Sequence, residues 1–315
     1  KITLGNISEA EILDKETIRF NFKEKNPKLP MLLSSYLSVF PKHWVGDLDF
    51  KDTAMKIPVG SGPYILADYD IGKQIKFKRD PDYWAKDLGV RKGMFNFDEV
   101  VYKYFRDSTI ALEALKAGEY DFRHEYNSKM WARDYSGRVF KNKDILKKNI
   151  PHENSVGIQG FIMNTRNPLF SDRRVREAMV LAYDFEWANR MLFYNQYQRN
   201  DSYFSNTELA AQGEISSREG ELLAPFKDQP NDTVFATAWT PPVTTEPSSL
   251  RKNLRQAIKL LNAAGWKYKD GALRNSKGKK FTFELILAQK AFERIAAPYA
   301  RNLKKLGITM NYRTV

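Results

Sequence analysis

The stretch Pro168-Leu169-Phe170-Ser171-Asp172-Arg173-Arg174-Val175-Arg176-Glu177-Ala178 decides how this chain is read. An extended apolar segment, Gly157 to Asn164, runs into it, and a helix leaves it. Ser171 or Asp172 is placed to cap that helix, because a short side-chain oxygen accepts from the unpaired N–H groups of a first turn. The helix is expected to run to about Ala182, and Asp184 is placed to cap a second one to about Tyr194. Local chemistry alone therefore gives a strand, a turn and two capped helices.

Outward from this point, helices and strands alternate. Tyr64–Tyr69 and Gln74–Arg79 alternate at period two, as a two-stranded ribbon does, and Asp98–Phe105 reads as another strand. Asp107 or Ser108 caps a helix over about 109–117 that Gly118 ends. Tyr120–Phe122 reads as a short strand and Lys129–Tyr135 as helix. Residues 205–249 form a long polar excursion. Leu250–Ala264 is an amphipathic helix closed by Gly265. The strand Phe281–Leu287, the helix Phe292–Leu306 and the strand Ile308–Val315 follow. Nearer the start, Ile12–Phe22 reads as a hairpin around Asp14-Lys15-Glu16, and residues 31–38 as one short helix. The alternation argues an α/β arrangement.

Composition bounds the function. Apolar residues make up 42% of the 315 and charged residues 28%, a balance that suits a soluble globular protein. No run approaches the roughly 18 apolar residues of a membrane span. There is no cysteine, so thiolate nucleophiles, thiolate metal sites and disulfides are all excluded. The three histidines, His43, His124 and His152, are widely separated. No nucleophile elbow, phosphate-binding loop, zinc-protease helix or calcium loop is present. Gly60-x-Gly62 reads as a tight turn rather than a phosphate cradle, since no helix N-terminus follows it. No catalytic residue, metal site or cofactor is expected, and the chain is read as a non-enzyme.

The formal charge is +13. Its plain reading is a solvated basic surface. The alternative is nucleic-acid binding, through Arg138, Lys141, Lys143, Lys147 and Lys148 and the interleaved Tyr102-Lys103-Tyr104-Phe105-Arg106. Alternating Tyr and Lys equally describes a strand with one buried face, and no specific nucleic-acid partner is expected.

From Asn164 to Ala178 the chain resembles the N-T-x-x-x-[PL]-F-x-D-x-R-V-R-x-A signature of the oligopeptide-type extracellular solute-binding proteins of ABC importers, the peptide/nickel-binding family 5. Four further blocks resemble that family in the same order. They are Gly60-Ser61-Gly62-Pro63-Tyr64 with Arg79-Asp80-Pro81-Asp82-Tyr83-Trp84, then Ala114–Asp121, then Leu260–Trp266, then Leu306-Gly307-Ile308. Ala263 stands where the family usually has Glu. Tyr183–Trp187, Leu192–Asn195 and Ser202–Glu208 resemble the YejA-type branch, which is associated with peptide uptake and with import of microcin C.

The resemblance implies a two-lobed trap of the periplasmic-binding-protein-like II class that closes on its solute by hinge motion. It implies a partial first lobe over 1–59 and a nearly complete second lobe over 60–315 that lacks its C-terminal return. Since Lys1-Ile2-Thr3-Leu4 has neither an initiator Met nor a signal-peptide pattern, the expectation is an internal piece of a longer protein. A Gram-negative periplasm, an inner-membrane ABC permease and a monomeric state are implied as well.

Peptide binders of this kind hold the ligand backbone by strand-like hydrogen bonds and accept varied side chains in watery pockets. Strand ends and the loops after them are the positions that face such a cleft. Tyr64 follows the hinge turn, although a core tyrosine is an equal reading. The loop after Asp121 carries Arg123, Glu125, Tyr126 and Asn127. Trp131 offers an aromatic wall or helix packing. Asn164 serves either a ligand or its own turn. Tyr203, Ser205 and Asn206 belong to the YejA-type block and line a pocket or pack a loop. The family's acidic anchor for a peptide amino terminus is expected outside the chain.

Overall fold

The computed structural model describes residues 4–47, 49–53, 56–227, 235 and 237–315. Residues 1–3, on which the reading of the chain's start rests, lie outside the described residues, as do 228–234 and 236 within the expected polar excursion. Two compact units are present, Lys1–Asp121 and Phe122–Val315. Division by packing therefore falls at Asp121/Phe122, beyond the Gly60–Pro63 turn where the sequence reading places its lobe boundary.

In the first unit, β1 (Ile7–Ile12) and β2 (Ile18–Phe22) form an antiparallel hairpin with Ile12 opposite Ile18. Asp14 shapes its turn by accepting from the Glu16 amide at 2.8 Å. Helix α1 (Leu29–Tyr36) begins slightly before the expected 31–38, because Pro30 fits a first turn that needs no N–H. Helix α2 (Lys42–Val45) follows. Strands β3 (Tyr64–Asp70), β4 (Gln74–Arg79) and β5 (Glu99–Lys103) form one antiparallel sheet in that order. Helix α3 (Ser108–Lys116) is capped by Asp107, which accepts from Thr109 and Ile110 amides, and Gly118 turns the chain at φ 75°.

The second unit opens with short helices α4 (Ser128–Arg133) and α5 (Arg138–Lys141). Then come α6 (Arg173–Leu181), α7 (Phe185–Leu192), α8 (Ser217–Leu223) and α9 (Leu250–Ala263). Asp172 and Asp184 cap α6 and α7, accepting from Arg174 N and Trp187 N. A small hairpin, β6 (Lys267–Lys269) and β7 (Ala272–Arg274), leads to β8 (Thr282–Leu287), α10 (Glu293–Lys305) and β9 (Thr309–Thr314). β8 and β9 pair in parallel, Thr282 opposite Thr309, so α10 is the crossover that parallel pairing requires.

The core gathers around that β8–α10–β9 unit. Val175 and Ala178 of α6, Leu261 of α9, Leu303 of α10, Phe281 and Ile308 are all essentially buried in one cluster. Burying each large apolar side chain stabilises the fold by about 1.5–3 kcal/mol. On α10 the buried face is Ala296, Tyr299, Asn302 and Leu303, a helical spacing. Two of those four are polar, and both have partners. The Tyr299 hydroxyl donates to the Met179 carbonyl at 3.0 Å, and Asn302 Nδ2 donates to the Ala182 carbonyl at 3.1 Å. These acceptors lie at the C-terminal end of α6, where carbonyls run out of helical donors.

Three local expectations differ from the structure. Gly157–Asn164 has no assigned secondary structure and pairs with no strand among the described residues, and Ile162 is 87% exposed. Tyr120–Phe122 is likewise unpaired. An apolar alternation makes a strand only when a neighbouring edge supplies the ladder. Conversely, β6/β7 is absent from the sequence reading, because its strands are too short to show a period. No helix among the described residues is long and apolar enough to cross a membrane.

Gly307 makes the tightest approach in this unit. It ends α10 at φ 79°, and its carbonyl accepts from the Leu273 amide at 2.8 Å. A Cβ there would stand 2.6 Å from Leu273 N and 2.7 Å from the Tyr268 ring. Gly307→Ala is therefore expected to destabilise the unit by about 3 kcal/mol, from overpacking and a disfavoured φ together. Chemical denaturation checks this, and an unchanged midpoint would show that the hairpin does not press on the α10 terminus. Tyr299→Phe keeps the ring and removes one buried hydrogen bond, with an expected loss of about 1 kcal/mol in the same measurement.

Candidate ligand-binding site

The loop after Asp121 holds the densest polar group among the expected site residues. Asn127 caps α4, its Oδ1 accepting from Lys129 N at 3.0 Å and Met130 N at 3.3 Å. One oxygen of Glu125 accepts from the Asn127 amide at 2.7 Å. The other accepts from Arg123 Nη2 at 3.1 Å and from the Tyr135 hydroxyl at 3.0 Å. The Arg123 and Glu125 side chains are only 13% and 6% exposed. A carboxylate removed from water in this way needs such a full set of donors. Burial, and next the nearby Glu125 carboxylate, push the Tyr135 phenol well above its ordinary range, so it stays a donor.

Trp131 is half-buried on α4, its ring 5.3 Å from that of Tyr135. The Lys147 ammonium lies 4.5 Å from the centre of the Trp131 ring and also donates to the Trp131 carbonyl. Burial lowers the pKa of Lys147. Tyr126 is exposed, with its ring 4.1 Å from His124. The loop after α7 braces this region. Tyr197 Oη donates to the Tyr126 carbonyl at 3.3 Å, Gln196 Nε2 donates to the Ser128 carbonyl at 3.1 Å, and Arg133 lies over the Tyr194 ring.

The other expected residues fall in separate places. Asn164 closes its own turn, Oδ1 accepting from Arg166 N at 3.2 Å, and is exposed. Ser205 Oγ donates to the Ser202 carbonyl at 2.9 Å, and the Ser205 carbonyl accepts from Val156 N at 3.1 Å. Asn206, at φ 63°, donates to the carbonyls of Asn154 at 2.7 Å and His152 at 3.1 Å. Ser205 and Asn206 thus pin the 152–156 segment, while Tyr203 between them and Arg199 is 78% exposed. Tyr64 belongs to the first unit, where its hydroxyl donates to the Phe97 carbonyl at 2.9 Å.

Sequence reasoning missed three groups. Tyr135 and Lys147 join the Glu125–Trp131 cluster only through folding. Gln196 and Tyr197 fall between the YejA-like stretches Leu192–Asn195 and Ser202–Glu208. Arg199 packs between the rings of Tyr183 and Phe185, at 5.8 and 6.0 Å, and donates to the Pro242 carbonyl. Burial lowers its pKa and the Glu186 carboxylate opposes that shift. A basic residue amid aromatics was the available signal. Among the described residues no cluster of three His, Asp or Glu is arranged to hold a metal ion. The buried charges face protein partners, and the exposed tyrosines offer aromatic and hydrogen-bonding surface.

The model of the bacterial extracellular solute-binding proteins, family 5 Middle, matches residues 2–315. YejA of Escherichia coli strain K12 is 40% identical over 292 residues, covering 92% of this chain and 48% of that protein. An Agrobacterium fabrum protein named "Probable peptide-binding protein YejA" is 36% identical over 321 residues, covering 98% and 52%. Among solved structures, the oligopeptide-binding protein AppA of Bacillus subtilis, in complex with a nonapeptide, superposes with a TM-score of 0.57 at 21% identity, covering 100% of this chain and 55% of that one. That last likeness is one of fold. The chain spans about half the length of the curated relatives it matches. With its signature blocks, its mixed helix-and-strand architecture and a match along nearly its whole length, the chain belongs to the bacterial extracellular solute-binding proteins, family 5.

Proposed function

We propose that the protein is the non-enzymatic, peptide-capturing subunit of an ABC importer. It works in the periplasm as a monomer and hands oligopeptides to an inner-membrane permease. One observation carries the reading: identity of 36–40% to YejA proteins along nearly the whole chain, one of which is named for peptide binding. Microcin C-like peptide–nucleotide conjugates belong to the same proposal as a finer substrate class. The family assignment weighs against the nucleic-acid reading, and the side chains that suggested it are partly engaged: Lys147 on Trp131 and Lys103 on the Glu119 carbonyl.

The proposed ligand-facing set is Tyr64, Arg123, Glu125, Tyr126, Asn127, Trp131, Asn164, Tyr203, Ser205 and Asn206. Their surroundings divide the work. Tyr126 and Tyr203 are exposed and suit direct contact with a peptide backbone. Arg123, Glu125 and Asn127 are bonded among themselves and hold the loop that presents Tyr126.

Isothermal titration with a mixed oligopeptide library, on the protein as its own cell makes it, tests the proposal. Tyr126→Ala and Tyr203→Ala are each expected to weaken binding by about tenfold, as truncation of aromatic anchors commonly does, at unchanged Tm. Wild-type affinity in both would remove the two rings from the site. Glu125→Ala leaves Arg123 and the Tyr135 hydroxyl without their shared acceptor and is expected to cost about 3 kcal/mol of stability. A Glu125→Ala protein with an unaltered melt would show that the cluster does not support the loop.

A further inference from the structure

The net charge of +13 is not spread along the chain. Residues 1–249 carry 35 Lys and Arg against 35 Asp and Glu, whereas residues 250–315 carry 16 against 3. The whole imbalance therefore lies in α9 through β9. Among the described residues, only Arg313 of these sixteen cations has a carboxylate within ion-pair distance, Glu284 at 3.1 Å. Five lysines crowd one small region: Lys267 and Lys269 on β6, and Lys277, Lys279 and Lys280 on the loop after β7, all exposed. Asn275 shapes that loop by accepting from the amides of Lys277 and Lys279 at 3.1 and 3.0 Å. The last turn of α10 brings Lys304 and Lys305 to the same hairpin, because Leu273 N donates to the Gly307 carbonyl just beyond them. Asp270 is the one acidic residue between Ser249 and Phe283.

Folding does not call for this concentration. Cations in the last turn of α10 do complement its helix dipole. Arg251 and Lys252 sit instead in the first turn of α9, which has no acidic residue and where the dipole opposes them. Lysines on the hairpin and its loop repel one another and stabilise no helix. The concentration therefore points to an anionic partner. It is built of flexible point charges on a hairpin, the loop after it and a helix end. Such charges match a fluid array of phosphates better than a fixed one, which favours guanidinium forks. Tyr268, 63% exposed between Lys267 and Lys269, adds the kind of ring that settles at headgroup depth.

We propose that the lysine-rich end formed by β6, the 275–280 loop and the α10 terminus docks the protein on an anionic phospholipid surface, independently of which solute it binds. A polybasic patch of this kind gains roughly fivefold in partitioning per cation near such a surface, and salt screens it.

The test is co-sedimentation of the protein with phosphatidylcholine vesicles, with and without phosphatidylglycerol. Binding is expected only with phosphatidylglycerol, and it should disappear at raised salt. A variant carrying Lys267→Gln, Lys269→Gln, Lys277→Gln, Lys279→Gln and Lys280→Gln should lose about a hundredfold or more in partitioning. A control with Lys15→Gln, Lys25→Gln, Lys42→Gln, Lys51→Gln and Lys92→Gln should bind as wild type, and thermal melts of both verify that the fold is intact. Equal loss in the two variants would overturn the localised patch. Binding regardless of lipid charge, or salt-resistant binding to an oligonucleotide with none to vesicles, would overturn the proposal itself.

Discussion

Strands β8 and β9 run parallel, so the chain cannot join them with a tight turn and must carry a helix across. That requirement organises the second unit. The crossover helix α10 brings Leu303 and Ala296 into the core, and it delivers Tyr299 and Asn302 to the carbonyls at the end of α6. Helix α6 is thereby fixed at both ends, by the Asp172 cap at one and by these two buried donors at the other. The α6–α7 corner that follows sets out the loop bracing Tyr126 and Ser128. Main-chain topology, helix termination and the candidate site are in this sense one continuous argument.

Much of this was legible because the signals are local. Asp107, Asp172 and Asp184 cap the helices that their positions announced, and Gly118, Gly265 and Gly307 end helices at positive φ. The period-two ribbon of β3 and β4 was equally plain. Two signals were misread. Gly157–Asn164 has a strand's composition but no neighbouring edge among the described residues, and β6/β7 was passed over although it is local, closed by the two-residue turn Asp270-Gly271 at φ 51° and 74°. The family was readable from five blocks in order, which is a statement about ancestry rather than about physics.

The candidate site is a reading of residue types, and the fold shows what those residues bond to. Polar residues on a loop after a helix corner look alike whether they face a ligand or one another. For Arg123 and Glu125 it took the fold to show that both charges are largely withdrawn from water and that Tyr135, beyond α4, donates to the same carboxylate. Among the expected site residues, Tyr126 and Tyr203 are the exposed aromatics. The charge tells a similar story. A bulk value of +13 reads as a generic basic surface, whereas its confinement to residues 250–315, with Arg251 and Lys252 set against the dipole of α9, is the observation on which the proposed docking surface rests.

The central functional claim is that this family 5 protein carries peptides. Mass spectrometry of the small molecules released on denaturing the protein, purified gently from its own cells, addresses that claim without choosing a ligand in advance. Co-purifying peptides of varied sequence are the predicted result. Release of a single non-peptide solute, or of nucleic acid, would contradict it.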